Sequence, residues 1–194
     1  MSKINVFDIV KDHVSTFKNY ETNEYRPWDF IAFFGLTFVV SMIIVFFQPS
    51  LGYGVPNALL TSASVFTALM LNLLVLIYNL MQKTNVEKNK EDNPDDYSSQ
   101  FIKEIYYNIS FSILISMTTV IFLIIYSLNL FKDGILINYG VINFNINVTL
   151  LFTFIIYYLL SIFILTIFMI LKRVHILLSE EFKESNEAET KEKN

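Results

Sequence analysis

Few residues in this 194-residue chain could do acid–base, nucleophilic or metal chemistry. It has no cysteine, which removes disulfide scaffolds, thiol redox chemistry and Cys-based zinc sites. It has two histidines, His13 and His175. A helical metal or catalytic pair needs a second ligand three or four residues on, but Thr16 and Phe17 follow His13. His13 therefore reads as a solvated helix residue. His175, beside Lys172 and Arg173, reads as an interfacial side chain where a helix leaves the membrane. Asp95-Asp96 lies in a charged linker and reads as solvated. Membrane lipid phosphotransferases need paired Asp, intramembrane proteases a Ser–His pair or two Asp, and zincins His-Glu-x-x-His; no such set occurs. The chain is expected to have no catalytic residue, no metal site and no cofactor.

The sequence does space small and neutral polar side chains regularly. Thr61, Ser64, Ala68, Asn72 and Asn79 recur at steps of three, four, four and seven. Asn108, Ser112, Ser116 and Thr119 follow at four, four and three, and Thr149, Thr153, Tyr157 and Ser161 at steps of four. Each set falls on one face of a helix. Two uses are open. Small residues let helices approach, with Ser, Thr and Asn bonding across the contact at roughly 0.6–2 kcal/mol each. Alternatively, such lines face a water-filled path when several copies assemble. The candidate pore-lining or helix-packing residues are Thr61, Ser64, Asn72, Asn79, Asn108, Ser112, Ser116, Thr119 and Thr153. Asn72 and Asn79 are the sharpest, because an amide deep in hydrocarbon needs a partner.

The elements that carry these lines are long and apolar. The chain is 54% hydrophobic and 16% charged, whereas soluble domains carry about 25% charged residues. Apolar blocks run Phe30–Phe47, Ala58–Met81, Ile105–Leu130 and Val148–Leu171, and none contains a charged residue. At ~1.5 Å per residue each crosses ~30 Å of hydrocarbon. A soluble bundle would show a charged outer face at helical spacing, which these blocks lack. The expected fold is an all-α polytopic membrane protein: four transmembrane helices with short cytoplasmic amphipathic helices.

The expected parts are an N-terminal amphipathic helix (1–28), a first transmembrane hairpin (29–81), a linker (82–104), a second hairpin (105–171) and a C-terminal helix with a disordered tail (172–194). Trp28, Lys172 and Arg173 are expected to anchor span ends at the interface. Of the fourteen Lys and Arg residues, Lys132 alone lies between the third and fourth blocks, and none lies between the first and second. The positive-inside rule places both termini and the linker in the cytoplasm. No cleavable signal peptide is expected, since the first 28 residues mix charge signs and lack an apolar core. The outer segments are a turn-rich stretch, 48–57, and a longer one, 131–147, with a turn at Lys132-Asp133-Gly134 and then an Ile/Val/Asn stretch that either forms a short extended lip or lies at the interface.

Ile4, Phe7, Val10, Val14 and Phe17 share a face at helical spacing. Val174, Leu177, Leu178, Glu181 and Phe182 do so after the fourth block, which predicts a helical extension packed on the N-terminal helix. The polar stretch Ser185–Asn194 predicts disorder. The absence of an intramembrane charge disfavours ion-coupled transport. With Gly35 the only Gly in any span and no internal Pro, broken transporter helices are also disfavoured. The net charge of −4 disfavours nucleic-acid binding.

Three passages carry a resemblance: Phe101-Ile102-Lys103-Glu104-Ile105-Tyr106-Tyr107-Asn108-Ile109-Ser110, the uncharged span after it, and the exit Leu171-Lys172-Arg173-Val174-His175-Ile176-Leu177-Leu178. Together with the layout, they resemble small four-span membrane effectors of bacterial anti-phage (abortive-infection) operons, including the membrane component of Hailong-type systems. The resemblance implies a homo-oligomeric pore in the bacterial inner membrane. A regulatory ligand or protein from a neighbouring gene would keep it shut, and opening would depolarise the cell. Two other readings stay open: a non-conducting membrane anchor or scaffold for a soluble partner, and a phage holin.

Overall fold

The computed structural model describes residues 6–17, 27–88, 96–128, 135–139 and 142–192. Five helices and one hairpin follow in order: α1 (Val6–Ser15), α2 (Pro27–Phe47), α3 (Val55–Lys88), α4 (Asp96–Ser127), β1 (Ile135–Tyr139), β2 (Ile142–Ile146) and α5 (Val148–Glu192). Helices α2 to α5 each contain an uncharged core long and apolar enough to cross a membrane. The protein is an all-α polytopic membrane protein, with the strands confined to the connection between α4 and α5.

Local chemistry sets the helix ends. Proline opens α2 at Pro27 and sits in the first turn of α3 at Pro56, where its missing N–H is not needed. Gly54 takes a positive φ of 82° immediately before α3, a conformation that glycine adopts without penalty. The extended lip is an antiparallel hairpin pairing Ile135 with Ile146 and Tyr139 with Ile142. The preceding turn, Lys132–Gly134, lies outside the described residues.

Two helices run further than expected. Helix α3 continues through Lys88, into the expected linker, and α5 reaches Glu192. The disorder expected over Ser185–Asn194 is therefore corrected as far as Glu192, and Lys193 and Asn194 lie outside the described residues. Four of the nine residues Glu184–Glu192 are Glu, with one Ala and one Lys, all residues that favour helix.

The main helix contacts run α3 to α4, α4 to α5 and α5 to α2, with α1 resting on α4. The four long helices thus form a row, with α3 and α2 at its two edges. Three apolar clusters hold it. Ile77, Ile102, Ile105, Ile109 and Ile170 join α3, α4 and α5 at the end nearer the chain termini. Phe33, Phe111 and Ile162, with Phe17 from the turn that follows α1, join α2, α4 and α5. Leu51, Leu123 and Ile156 close the opposite end, where the Leu51 N–H donates to Tyr126 Oη at 3.1 Å.

Helix α1 docks through a face that only partly overlaps the one its apolar periodicity indicates, sharing Val10 and Phe17 with it. Phe7 is 82% exposed, while His13, Thr16 and Phe17 are buried and Ile9 and Val10 pack against the aromatic cluster. At 100° per residue the docked face is turned by roughly a quarter of a revolution from the Phe7–Val14 line. Ile4, expected on that line, lies outside the described residues.

Candidate functional site

Two polar features stand out, one inside the bundle and one on its surface. The first is a knot around α1. His13 is fully buried, which corrects its reading as a solvated residue. Its ring stacks on Phe111 at 3.8 Å, nearly parallel, and meets Phe17 edge-on at 5.4 Å. Asn108 Oδ1 accepts from His13 Nδ1–H at 2.8 Å. Thr16 Oγ1 donates to the His13 carbonyl at 2.7 Å and approaches Asn108 Oδ1 at 3.4 Å. From α5, the Arg173 guanidinium donates to the Thr16 carbonyl at 3.1 Å and pairs with Glu104 of α4 at 3.1 Å. Burial pushes the His13 imidazole down from 6.5 to about 4; its bond to Asn108 opposes the shift and the nearby Arg173 charge adds to it.

The knot is incompletely satisfied. His13 Nε2, Asn108 Nδ2, Ser112 Oγ and Arg173 Nη1 are buried with no hydrogen-bond partner among the described residues. Each such group costs about 1–3 kcal/mol. The aromatic contacts that hold α1 therefore work against a polar burial penalty, and docking is a balance of opposed terms.

Arg173 is a correction to the expected interface anchor. It is mostly buried and bonded within the protein, whereas Lys172 and Trp28 are exposed as an anchor requires. Arg173 also supplies the α5–α1 contact expected of the apolar face beyond it. Val174 and Leu177 instead pack on the α3–α4 cluster, and Leu178 is exposed.

The second feature is the fate of the polar lines. The α4 line points inward: Asn108, Ser112, Ser116 and Thr119 are all buried, as is Thr153 of α5. Ser116 Oγ lies 2.6 Å from Thr67 Oγ1 and donates to the Ala63 carbonyl at 3.1 Å, which ties α4 to α3. Thr119 and Thr153 donate to carbonyls of their own helices. These five are packing residues in the single chain.

The α3 line points outward. Ala63, Thr67, Met70, Leu74 and Ile77 form the stripe of α3 turned to the bundle. Thr61, Ser64, Ala68, Asn72 and Asn79 are all exposed and lie on the opposite side by helical spacing. The hydroxyls of Thr61 and Ser64 donate to the carbonyls of Asn57 and Leu60. The side chains of Asn72 and Asn79 make no hydrogen bond to any described residue. Asn72 lies ten residues before Gln82, where the apolar stretch of α3 ends. That is ~15 Å along the helix, about the middle of a ~30 Å core.

The sequence did not reveal the knot. Its members are scattered between positions 13 and 173, and polar residues on an amphipathic helix ordinarily face water. The one available signal was the two-sided character of α1, where Thr16 and His13 sit beside Phe17. Among the described residues no three metal-ligating side chains gather. Searches against protein families, characterised proteins and solved structures return no match to this chain.

Proposed function

We propose that the protein is a non-catalytic, self-assembling pore of the bacterial cytoplasmic membrane, gated from the cytoplasmic side and depolarising the cell when open. The observation that supports this reading is the outward polar line of α3. A carboxamide facing hydrocarbon without a partner costs roughly 2–7 kcal/mol, so a lone copy in lipid is penalised at Asn72. Assembly brings these lines from several copies together, where they bond to one another in a dry state or to water in a wet one.

By the positive-inside rule the end bearing α1 and the α5 exit faces the cytoplasm. Helix α1 is then a brace at the inner mouth, wedged against α2, α4 and α5. Its weakly satisfied polar contacts suit a part that must let go. A regulatory ligand or a protein encoded nearby would act by favouring the docked or the released position. The resemblance to anti-phage effectors gives opening its purpose, which is to stop a phage by stopping its host.

Induced expression in bacteria with a membrane-potential dye tests this. Depolarisation that is lost in Asn72→Leu/Asn79→Leu at equal membrane content is the expected result. Normal polarisation under induction, with any operon partner deleted or triggered, would overturn it. The second reading is a non-conducting anchor. It is favoured by the length of α5, whose 45 residues extend well beyond a bilayer and offer a soluble partner a rigid arm.

A further inference from the structure

We infer that the occupant of the exposed α3 face is α3 of a second copy, packed in parallel so that Asn72 meets its own counterpart. This deepens the pore reading and rests on it only in requiring self-association.

Four observations carry the inference. First, the face is polar where lipid gives nothing to bond. The Asn72 and Asn79 side chains are exposed without a hydrogen-bond partner among the described residues, while Thr61 and Ser64 already satisfy their hydroxyls on their own backbone. The unmet demand is therefore that of carboxamides.

Second, a carboxamide both donates and accepts, so it can pair with an identical group. Copies sharing one topology in a membrane are related by an axis along the membrane normal. Every residue then lies at the same depth as its counterpart, and where the α3 faces turn toward the axis like residues meet. Asn72 is thus presented with Asn72, and Asn79 with Asn79, without any further adjustment of register.

Third, the residues one and two turns from Asn72 on the same line are Ala68 and Ser64. Small side chains at this spacing let two helix backbones come close enough for short amide side chains to meet. Leu69, Val75 and Leu76, exposed beside the line, supply an apolar margin that excludes water from the paired amides.

Fourth, the other edge of the row is the wrong partner. From Ile31 to Phe47, every exposed residue of α2 is apolar. Its two hydroxyls, Thr37 and Ser41, are buried and donate to carbonyls of their own helix. An α2 edge of another copy would leave Asn72 as unsatisfied as lipid does.

The chain has no cysteine, so single-cysteine variants report contacts cleanly. Ala68→Cys on α3 and Val39→Cys on the exposed face of α2 are each co-expressed with a differently tagged copy of the same variant and oxidised in native membranes. The expected result is a disulfide-linked dimer carrying both tags for Ala68→Cys and little for Val39→Cys. Adding Asn72→Leu lowers the yield at least about fivefold, and Asn72→Gln restores part of it. Three results would overturn the inference: equal yields at both positions, a yield indifferent to Asn72→Leu, or an adduct with another protein in place of the tagged copy. A dimer at Ala68 without depolarisation in cells would sink the pore and leave this contact standing. Depolarisation without that dimer would do the reverse.

Discussion

The two edges of the helix row meet the same solvent with different chemistry. Helix α2 hides its polar groups: Thr37 and Ser41 face the bundle, and what remains exposed between Ile31 and Phe47 is apolar. Helix α3 does the opposite. It turns an apolar stripe to α4 and leaves Asn72 and Asn79 outside. Composition alone makes both helices membrane spans. The difference lies in which neighbour each face meets. An edge built like α2 is finished when lipid covers it, whereas an edge built like α3 is finished only when another polar surface does.

The largest expected effect comes from making α3 resemble α2. Asn72→Leu/Asn79→Leu removes the unmet carboxamides, so the single copy becomes comfortable in lipid. Depolarisation on induction should fall by about tenfold or more, equivalent to ~1.4 kcal/mol or more per opening assembly. Leu36→Val/Val40→Leu on α2 should leave it within about twofold. Equal effects at the two edges would erase the distinction between them.

The converse substitution makes α2 resemble α3. Val39→Asn places a carboxamide on the exposed face of α2. New association through α2, worth about 0.6–2 kcal/mol, is expected as larger species in crosslinked membranes. If Val39→Asn stays as dispersed as the parent chain, an exposed amide alone is not enough to recruit a partner, and the Ala68 and Ser64 neighbours of Asn72 gain weight.

A third prediction concerns α1, which touches both halves of the row through the His13 knot. The His13 imidazole is held down from 6.5 to about 4, so the docked state binds fewer protons than the released one between these values. Docking is at full strength above pH 6.5, weakens as pH falls toward 4 and loses no more below that. The whole shift corresponds to about 3 kcal/mol. The charged groups nearby are Arg173 of α5, Glu104 of α4, paired with it, and Asp8, Lys11 and Asp12 of α1. Protease cleavage within 18–26, followed from pH 7.5 to 4.5, should rise in the parent chain and stay flat in His13→Phe. Equal rises would assign the effect to the carboxylates.

The smallest effect is expected where the polar line is already satisfied. Ser116→Ala removes a hydroxyl that ties α4 to α3 and should cost about 0.6–2 kcal/mol. A modest fall in melting temperature in detergent, with depolarisation retained, would separate packing residues from exposed ones. Loss of depolarisation would move the conduction path to the inner line.

These contrasts mark how far the sequence could be read. The four spans were legible because apolar runs without charge have few other uses, and Pro27, Pro49 and Pro56 punctuate them. The polar lines were also legible as lines, but not in their direction. Ser64–Asn72 and Asn108–Ser116 have the same spacing and similar composition, yet one faces out and the other in. Periodicity fixes which residues share a face, and the arrangement of neighbouring helices decides what that face meets. Helix α1 shows the same limit more sharply. Its apolar spacing pointed to a face of Phe7, Val10, Val14 and Phe17; Val10 and Phe17 do pack with Phe33, Phe111 and Ile162, but His13 enters beside them and Phe7 stays exposed. The Arg173–Glu104 pair, between residues far apart in sequence, left no local trace.

The central claim is that the α3 edge is completed by other copies and that the completed assembly conducts. Planar-bilayer recording of the purified full chain tests it most directly. Discrete conductance steps should appear with the parent protein, persist with Leu36→Val/Val40→Leu and vanish with Asn72→Leu/Asn79→Leu. Steps of unchanged size and frequency in the Asn72→Leu/Asn79→Leu protein, or a silent bilayer with all three, would contradict the account.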